Sequence, residues 1–213
     1  MARKTKEEAE VTRRSIIQAA RTVFFARGVS RSSLERIAEA AGVSRGAIYW
    51  HFKDKAELFY AMREGVFAPM VERTDAIFFG DGYENPLDAI ESAINEFFRV
   101  IEECEGVRAV FEIMLSRCEY VDEFAVVQIE LGQPVQVFLE KMECLYLKAR
   151  EMGKLRSGID PLVAARDTWA FTHGLLDLML GCRKGTGLEQ QIPAMIAGHI
   201  DMRRAEEALV AVD

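Results

Sequence analysis

Apolar residues recur at helical spacing along almost the whole chain. Ile16, Ala20, Val23 and Phe24 fall at i, i+4, i+7 and i+8. That stripe predicts a first helix over residues 9–27, ended by Gly28. Leu34, Ile37, Ala38 and Ala41 form the next stripe. Ser32 with Glu35 three residues on has capping-box spacing and predicts its start, and Gly42 its stop. Ser44 can cap a third, short helix that reaches Phe52. Asp54, with Glu57 at its N3 position, opens a long fourth helix to about Ile77.

The segment GDGYENP, Gly80 to Pro86, is the clearest break. Asn85-Pro86 and Asp160-Pro161 each read as a cap followed by a first-turn proline. Further helices are expected over 86–103, 107–118, 123–152, 161–182 and 188–210. No hairpin dipeptide sits between alternating β-branched runs, so the fold class is all-α. The helix from Pro161 reads TWAFTHGLLDLMLGC from Thr168 on, apolar on nearly every face. Such a helix needs cover on all sides. Its own core supplies one side, and a second copy of the chain is expected on the other.

Composition adds limits. The 213 residues are 50% hydrophobic and 29% charged, a folded chain with room for one sizeable core or two modest domains. No apolar run reaches membrane-spanning length and MARKTKEEAE has no apolar signal region, so no membrane partner and a cytoplasmic location are expected. Cys104, Cys118, Cys144 and Cys182 form no CxxC pair. They read as buried reduced thiols, with no metal and no cofactor expected. The net charge is −7, but residues 1–55 hold twelve Lys/Arg and six Asp/Glu, or +6, leaving −13 for the rest. A basic head on an acidic body can present the head to phosphate.

The second and third helices, joined by Gly42-Val43, have the spacing of a helix-turn-helix, whose second helix approaches base edges with its N-terminal end. Here that end is Ser44-Arg45-Gly46. Arg45 can bond guanine O6 and N7 bidentately, worth roughly 1–3 kcal/mol of discrimination. Gly46 lets the backbone come close. Ile48 and Phe52 anchor the helix to the core of the head. Tyr49 offers a ring to a thymine methyl and a hydroxyl to phosphate, and Trp50 stands beside it. His51 and Lys55 can meet phosphate, and Ser32 and Ser33 open a helix whose amide groups suit one.

LERIAEAAGVSRGAIYWHFKDKAELF resembles the DNA-binding domain of the TetR family of bacterial regulators. The stretch from Gly42 to Lys55 matches the family's most recognisable motif, and the likeness runs from about Thr12 to Phe67. MARKTKEEA together with RGAIYWHFKDK is similar to the AcrR-like branch, whose members repress multidrug efflux pump genes and release DNA when drugs bind. The resemblance implies a homodimer on a palindromic operator, paired through its last two helices, with a ligand site in a helical C-terminal domain. It divides the chain into a head at 9–55, a connecting helix at 54–77 and an effector-binding and dimerisation domain at 56–210. Leu176, Leu180, Ile192, Ile196 and Ile200 are then candidates for the dimer face.

A site for a hydrophobic small-molecule effector is expected among Phe67, Met70, Phe97, Phe111, Met114, Leu115, Phe138, Trp169, Thr172 and His173. Aromatic and flexible side chains suit greasy ligands, and a few polar groups orient them. For each residue alone, ordinary core packing is the competing reading. His173 is either a core histidine or a polar contact in the ligand site. Glu112 could face a cationic drug or simply solvent. Gly42-Val43-Ser44-Arg45-Gly46 also spells GxSxG, but the hydrolase elbow needs a strand before its serine and a capped helix stands there instead, so no enzyme is expected. The reading is a repressor of an efflux operon, with a regulator of lipid or aromatic metabolism as the alternative.

Overall fold

The computed structural model describes residues 6–80, 82–121, 124–182 and 187–206. Among the described residues there are nine helices: α1 (Lys6–Arg27), α2 (Leu34–Ala40), α3 (Arg45–His51), α4 (Lys55–Phe79), α5 (Pro86–Glu103), α6 (Glu105–Ser116), α7 (Ala125–Glu151), α8 (Pro161–Gly181) and α9 (Leu188–Asp201). An isolated bridge, Leu155 to Arg204, is the β-type pairing these residues show. The fold is all-α.

The chain forms two compact units. One comprises Met1–Pro69 and Cys104–Glu130, the other Met70–Glu103 and Leu131–Asp213. By packing, the start of α4 and all of α6 therefore go with α1–α3. In this unit α1 buries Ile16, Ala19, Ala20, Val23 and Phe24, a stripe at helical spacing. α1 packs on α2 and α6, and α2 on α3. Phe24, Phe59 and Phe124 form a run of ring contacts at 6.3 and 5.5 Å. Gly28, at φ +80°, turns the chain out of α1, and Val29 then donates to the Arg117 carbonyl at 2.9 Å.

In the second unit α5 is strongly two-faced and buries Leu87, Ile90, Ala93, Ile94, Phe98 and Ile101. It packs against α9, which also packs on α8. Both proline starts form as the sequence predicts. The Asn85 side chain accepts from the Leu87 N–H at 3.0 Å, and Asp160 from the Val163 N–H at 3.0 Å.

The last helix is shorter than expected, ending at Asp201 rather than 210; residues 207–210 lie outside the described ones. Polar anchors divert the chain there. Arg203 bonds the His199 carbonyl and the Asp167 carboxylate. Arg204 reaches Asp88 at 2.6 Å and Glu91 at 2.8 Å. The Arg156 N–H then donates to the Arg203 carbonyl and the Ala205 N–H to the Lys154 carbonyl, both at 2.8 Å, which ties residues 203–205 to that segment.

The cysteines also depart from expectation. Cys104 and Cys144 are exposed, and Cys118 and Cys182 half-buried. Cys104 and Cys182 fall at helix ends, where side chains are not enclosed. Burial pushes the Cys118 thiol up to about 11, which keeps it protonated.

Candidate nucleic-acid interface and ligand clusters

α2 and α3 are held as a rigid corner. Ser33 caps α2 by accepting from the Arg36 N–H at 3.3 Å, and Ser44 caps α3 by accepting from the Ala47 N–H at 3.2 Å. Between them Gly42 adopts φ +67°, the left-handed conformation that glycine takes without strain. Ile48 and Phe52 are buried as expected, fixing the inner face of α3. The cation of Arg13 stands 5.0 Å from the Phe52 ring.

The outer face of α3 is open. Ser44, Arg45, Gly46, Tyr49 and Trp50 are exposed, Trp50 at 73%. A side chain so large and so exposed has no role in the core of this unit. A Cβ added at Gly46 would meet only the Ser44 hydroxyl, at 4.0 Å, so the surface there is open to a neighbour. His51 is half-buried and packs edge-on against Trp50 at 4.6 Å.

Two expected contacts sit differently. Ser32 is 5% exposed, and its hydroxyl donates to the Gly28 carbonyl at 2.7 Å. The cap of α2 is Ser33, one residue later, so the Ser32–Glu35 capping box does not form. Lys55 is half-buried, its ammonium 3.4 Å from the Ser32 carbonyl and 5.4 Å from the centre of the Phe124 ring. Glu35, read in the sequence only as a capping residue, instead faces α3. It accepts from the Tyr49 hydroxyl at 2.9 Å and lies 3.4 Å from Arg45.

A model of the "Bacterial regulatory proteins, tetR family" matches residues 16–62, from the middle of α1 to the first turns of α4. The chain is 32% identical over 215 residues to the HTH-type transcriptional regulator TtgR of Pseudomonas putida, covering 98% of this chain and 99% of that protein. The chain belongs to the TetR family.

Members of this family are transcriptional regulators that bind operator DNA, dimerise and bind small molecules. Among solved structures, that of NalD, described as the secondary repressor of the MexAB-OprM multidrug efflux pump in Pseudomonas aeruginosa, has a TM-score of 0.83 and 31% identity. It covers 95% of this chain and 100% of its own. A SmeT–triclosan complex aligns with a TM-score of 0.81 and 29% identity, over 92% of this chain and 93% of that one.

The residues expected for a TetR-type ligand site fall into aromatic groups within each unit. In the first, Phe67 and Phe111 have ring centres 5.2 Å apart, beside buried Met114, while Leu115 is 40% exposed. In the second, Phe138 lies 5.6 Å from both Phe78 and Trp169, and Trp169 is 6.1 Å from His173. Met70 is buried, and Phe97 stacks edge-on with Phe98 at 5.2 Å. Glu112 is paired with Arg108 at 3.1 Å, which satisfies the charge offered to a cationic drug. Thr172 is buried, and its hydroxyl donates to the Thr168 carbonyl at 2.7 Å. His173 is exposed, because it falls on the outward stripe of α8.

The enclosed histidine is one the sequence reading passed over. His199 pairs with the Thr168 hydroxyl at 3.1 Å, which also bonds Tyr146 at 2.7 Å, and the Phe171 ring stacks on it at 3.9 Å. Four dimer candidates turn inward too: Leu176, Ile192, Ile196 and Ile200 are 5% exposed or less, and Leu180 is half-buried. Their apolar stripes close α8, α9 and α5 on one another. The outward faces carry other apolar residues: Val163 and Leu178 on α8, Met195 on α9, and Met202 just beyond it.

Proposed function

We propose that this TetR-family chain is a cytoplasmic homodimeric repressor of a multidrug efflux operon, released from a palindromic operator by a hydrophobic small molecule. The observation that carries it is the outer face of α3, where Arg45, Gly46, Tyr49 and Trp50 stand exposed on a helix capped and anchored from behind. Arg45 reads a guanine edge, Tyr49 and Trp50 supply apolar contact to thymine methyls, and Ser33, Ser44, His51 and Lys55 serve the phosphates. Ser32 supports this surface from within. Residues 9–55 act as the head, and 56–210 hold the effector and the partner.

Support for efflux control comes from the relatives. NalD, similar over its whole length, is a repressor of a multidrug pump, and the SmeT complex holds triclosan, an aromatic ligand. The aromatic groups around Phe67–Phe111 and Phe138–Trp169 offer this chain comparable chemistry. The outward apolar face of α8 and α9 pairs two copies. A dimer places two recognition helices about 34–36 Å apart, one DNA turn, or a multiple of it. An effector that binds best to a conformation with another spacing shifts the population off DNA.

The test is a gel shift with the DNA flanking the chain's own gene, repeated with a panel of hydrophobic drugs. A retarded band released by one or more drugs is expected. Retention that no drug reverses, but an acyl or aromatic metabolite does, would replace efflux control by metabolic control. No shift would end the repressor reading.

A further inference from the structure

Glu35 is a carboxylate placed against the base-reading face of α3. It engages two of that face's side chains at once. The Tyr49 hydroxyl donates to its Oε1 at 2.9 Å, and Arg45 Nη2 lies 3.4 Å from the same oxygen. The Arg45 guanidinium carbon stands 5.9 Å from the centre of the Tyr49 ring, completing a three-membered cluster. Glu35 and Arg45 are 45% and 74% exposed at their side chains, so the cluster lies on the surface a duplex would meet. An exposed pair of this kind adds little to stability. Its consequence falls on recognition.

We propose that Glu35 is a specificity-determining positioning residue, which aims Arg45 and Tyr49 at base edges and opposes their use on phosphate. A guanidinium has five N–H donors, so Arg45 can keep Glu35 on one edge while giving two to guanine O6 and N7. Guanine brings no net charge against the carboxylate. A phosphate drawn to the same guanidinium approaches Glu35 as well, and like charges oppose it. Glu35 thereby lowers affinity for arbitrary duplex more than for the operator. Its own backbone N–H, the Tyr49 hydroxyl, Ser33 and the charge of Arg45 hold its carboxyl below the usual range, so it carries its charge wherever DNA is bound.

This rests on the assignment of Arg45 to a base. The test begins by selecting an operator from a random-sequence duplex pool with the parent chain. Binding of that operator and of a scrambled duplex is then measured against salt for the parent, Glu35→Gln, Tyr49→Phe and Arg45→Ala. Glu35→Gln keeps shape and the acceptor for Tyr49 but removes the charge. It should bind scrambled duplex about 3–10-fold more tightly, with a salt dependence steeper by about 0.9 in the logarithmic slope, one further phosphate contact. The operator-to-scrambled ratio should fall by a similar factor. Tyr49→Phe, which frees one side of the cluster, should lower the ratio less. An unchanged ratio in Glu35→Gln, including an equal gain on both duplexes, would overturn the proposal. If Arg45→Ala retained the operator, the base-reading assignment itself would fail; if it lost the operator while Glu35→Gln left the ratio intact, only the role of Glu35 would.

Discussion

At the scale of single residues, the buried polar groups of the second unit carry a readable cost. Thr168 bridges Tyr146 and His199 through one fully buried hydroxyl. Thr168→Val keeps the shape but strips both partners, and a buried polar group left unpaired costs about 1–3 kcal/mol. Urea unfolding should show a loss of that size, while Thr172→Ser, which keeps its bond to the Thr168 carbonyl, should lose less. His199 adds a dependence on pH. Burial, then the charge of Arg203, lowers its pKa from the ordinary 6.5 to about 4, against the opposing charge of Asp167. The unfolded chain thus binds a proton that the folded chain refuses between those values. Stability should fall as pH drops from 6.5 towards 4, with no further loss from this group below. His199→Gln should flatten that limb in unfolding midpoints measured across pH; an unchanged limb would assign it to other groups. None of this is legible in the sequence, where His173 is the candidate because it lies mid-helix in THGLLDLML, among apolar residues. The rotation of α8 decides the matter: residues 164, 165, 168, 172, 175, 176 and 179 turn inward, which leaves 173 outside.

At the scale of elements, local chemistry was readable and partner choice was not. Asn85-Pro86 and Asp160-Pro161 set α5 and α8 to the residue, because cap and proline act within one turn. The Ser32–Glu35 spacing points to Ser32 as the cap of α2, but either serine can accept from an amide three residues on, and the Gly28 carbonyl that engages Ser32 leaves the cap to Ser33. The stripe of α8 and α9 raised the same difficulty on a larger scale. An apolar helix must be covered, but periodicity does not say which stripe meets its own chain. The structure sends Leu176, Ile192, Ile196 and Ile200 inward and leaves Leu178 50% exposed. Leu178→Arg should therefore yield a folded monomer, with unchanged helicity and a sedimentation coefficient lower than the parent's. A dimer of unchanged stability would remove this face from the interface. Leu176→Arg should instead unfold the unit, because it buries an unpaired charge.

At the scale of the whole molecule, the likeness to TtgR and NalD extends from end to end, yet the sequence was most informative over the fourteen residues from Gly42 to Lys55. The reason is physical. A helix-turn-helix needs a left-handed glycine, a cap and a buried anchor at fixed spacing, whereas a greasy site can be built from many combinations of Phe, Met and Trp. No helix of the described residues is long and apolar enough to cross a membrane. The acidic body and basic head read from the composition are the electrostatic frame of the proposed contact between α3 and DNA. The central claim is that Arg45 on α3 reads sequence, and fluorescence anisotropy tests it most directly. Parent and Arg45→Ala are titrated against the operator-bearing DNA beside the gene and against a scrambled duplex of equal length. Loss of most of the operator preference in a variant that stays folded and dimeric, with binding to scrambled DNA little changed, is the predicted result. An Arg45→Ala variant that prefers its operator as strongly as the parent would contradict the account.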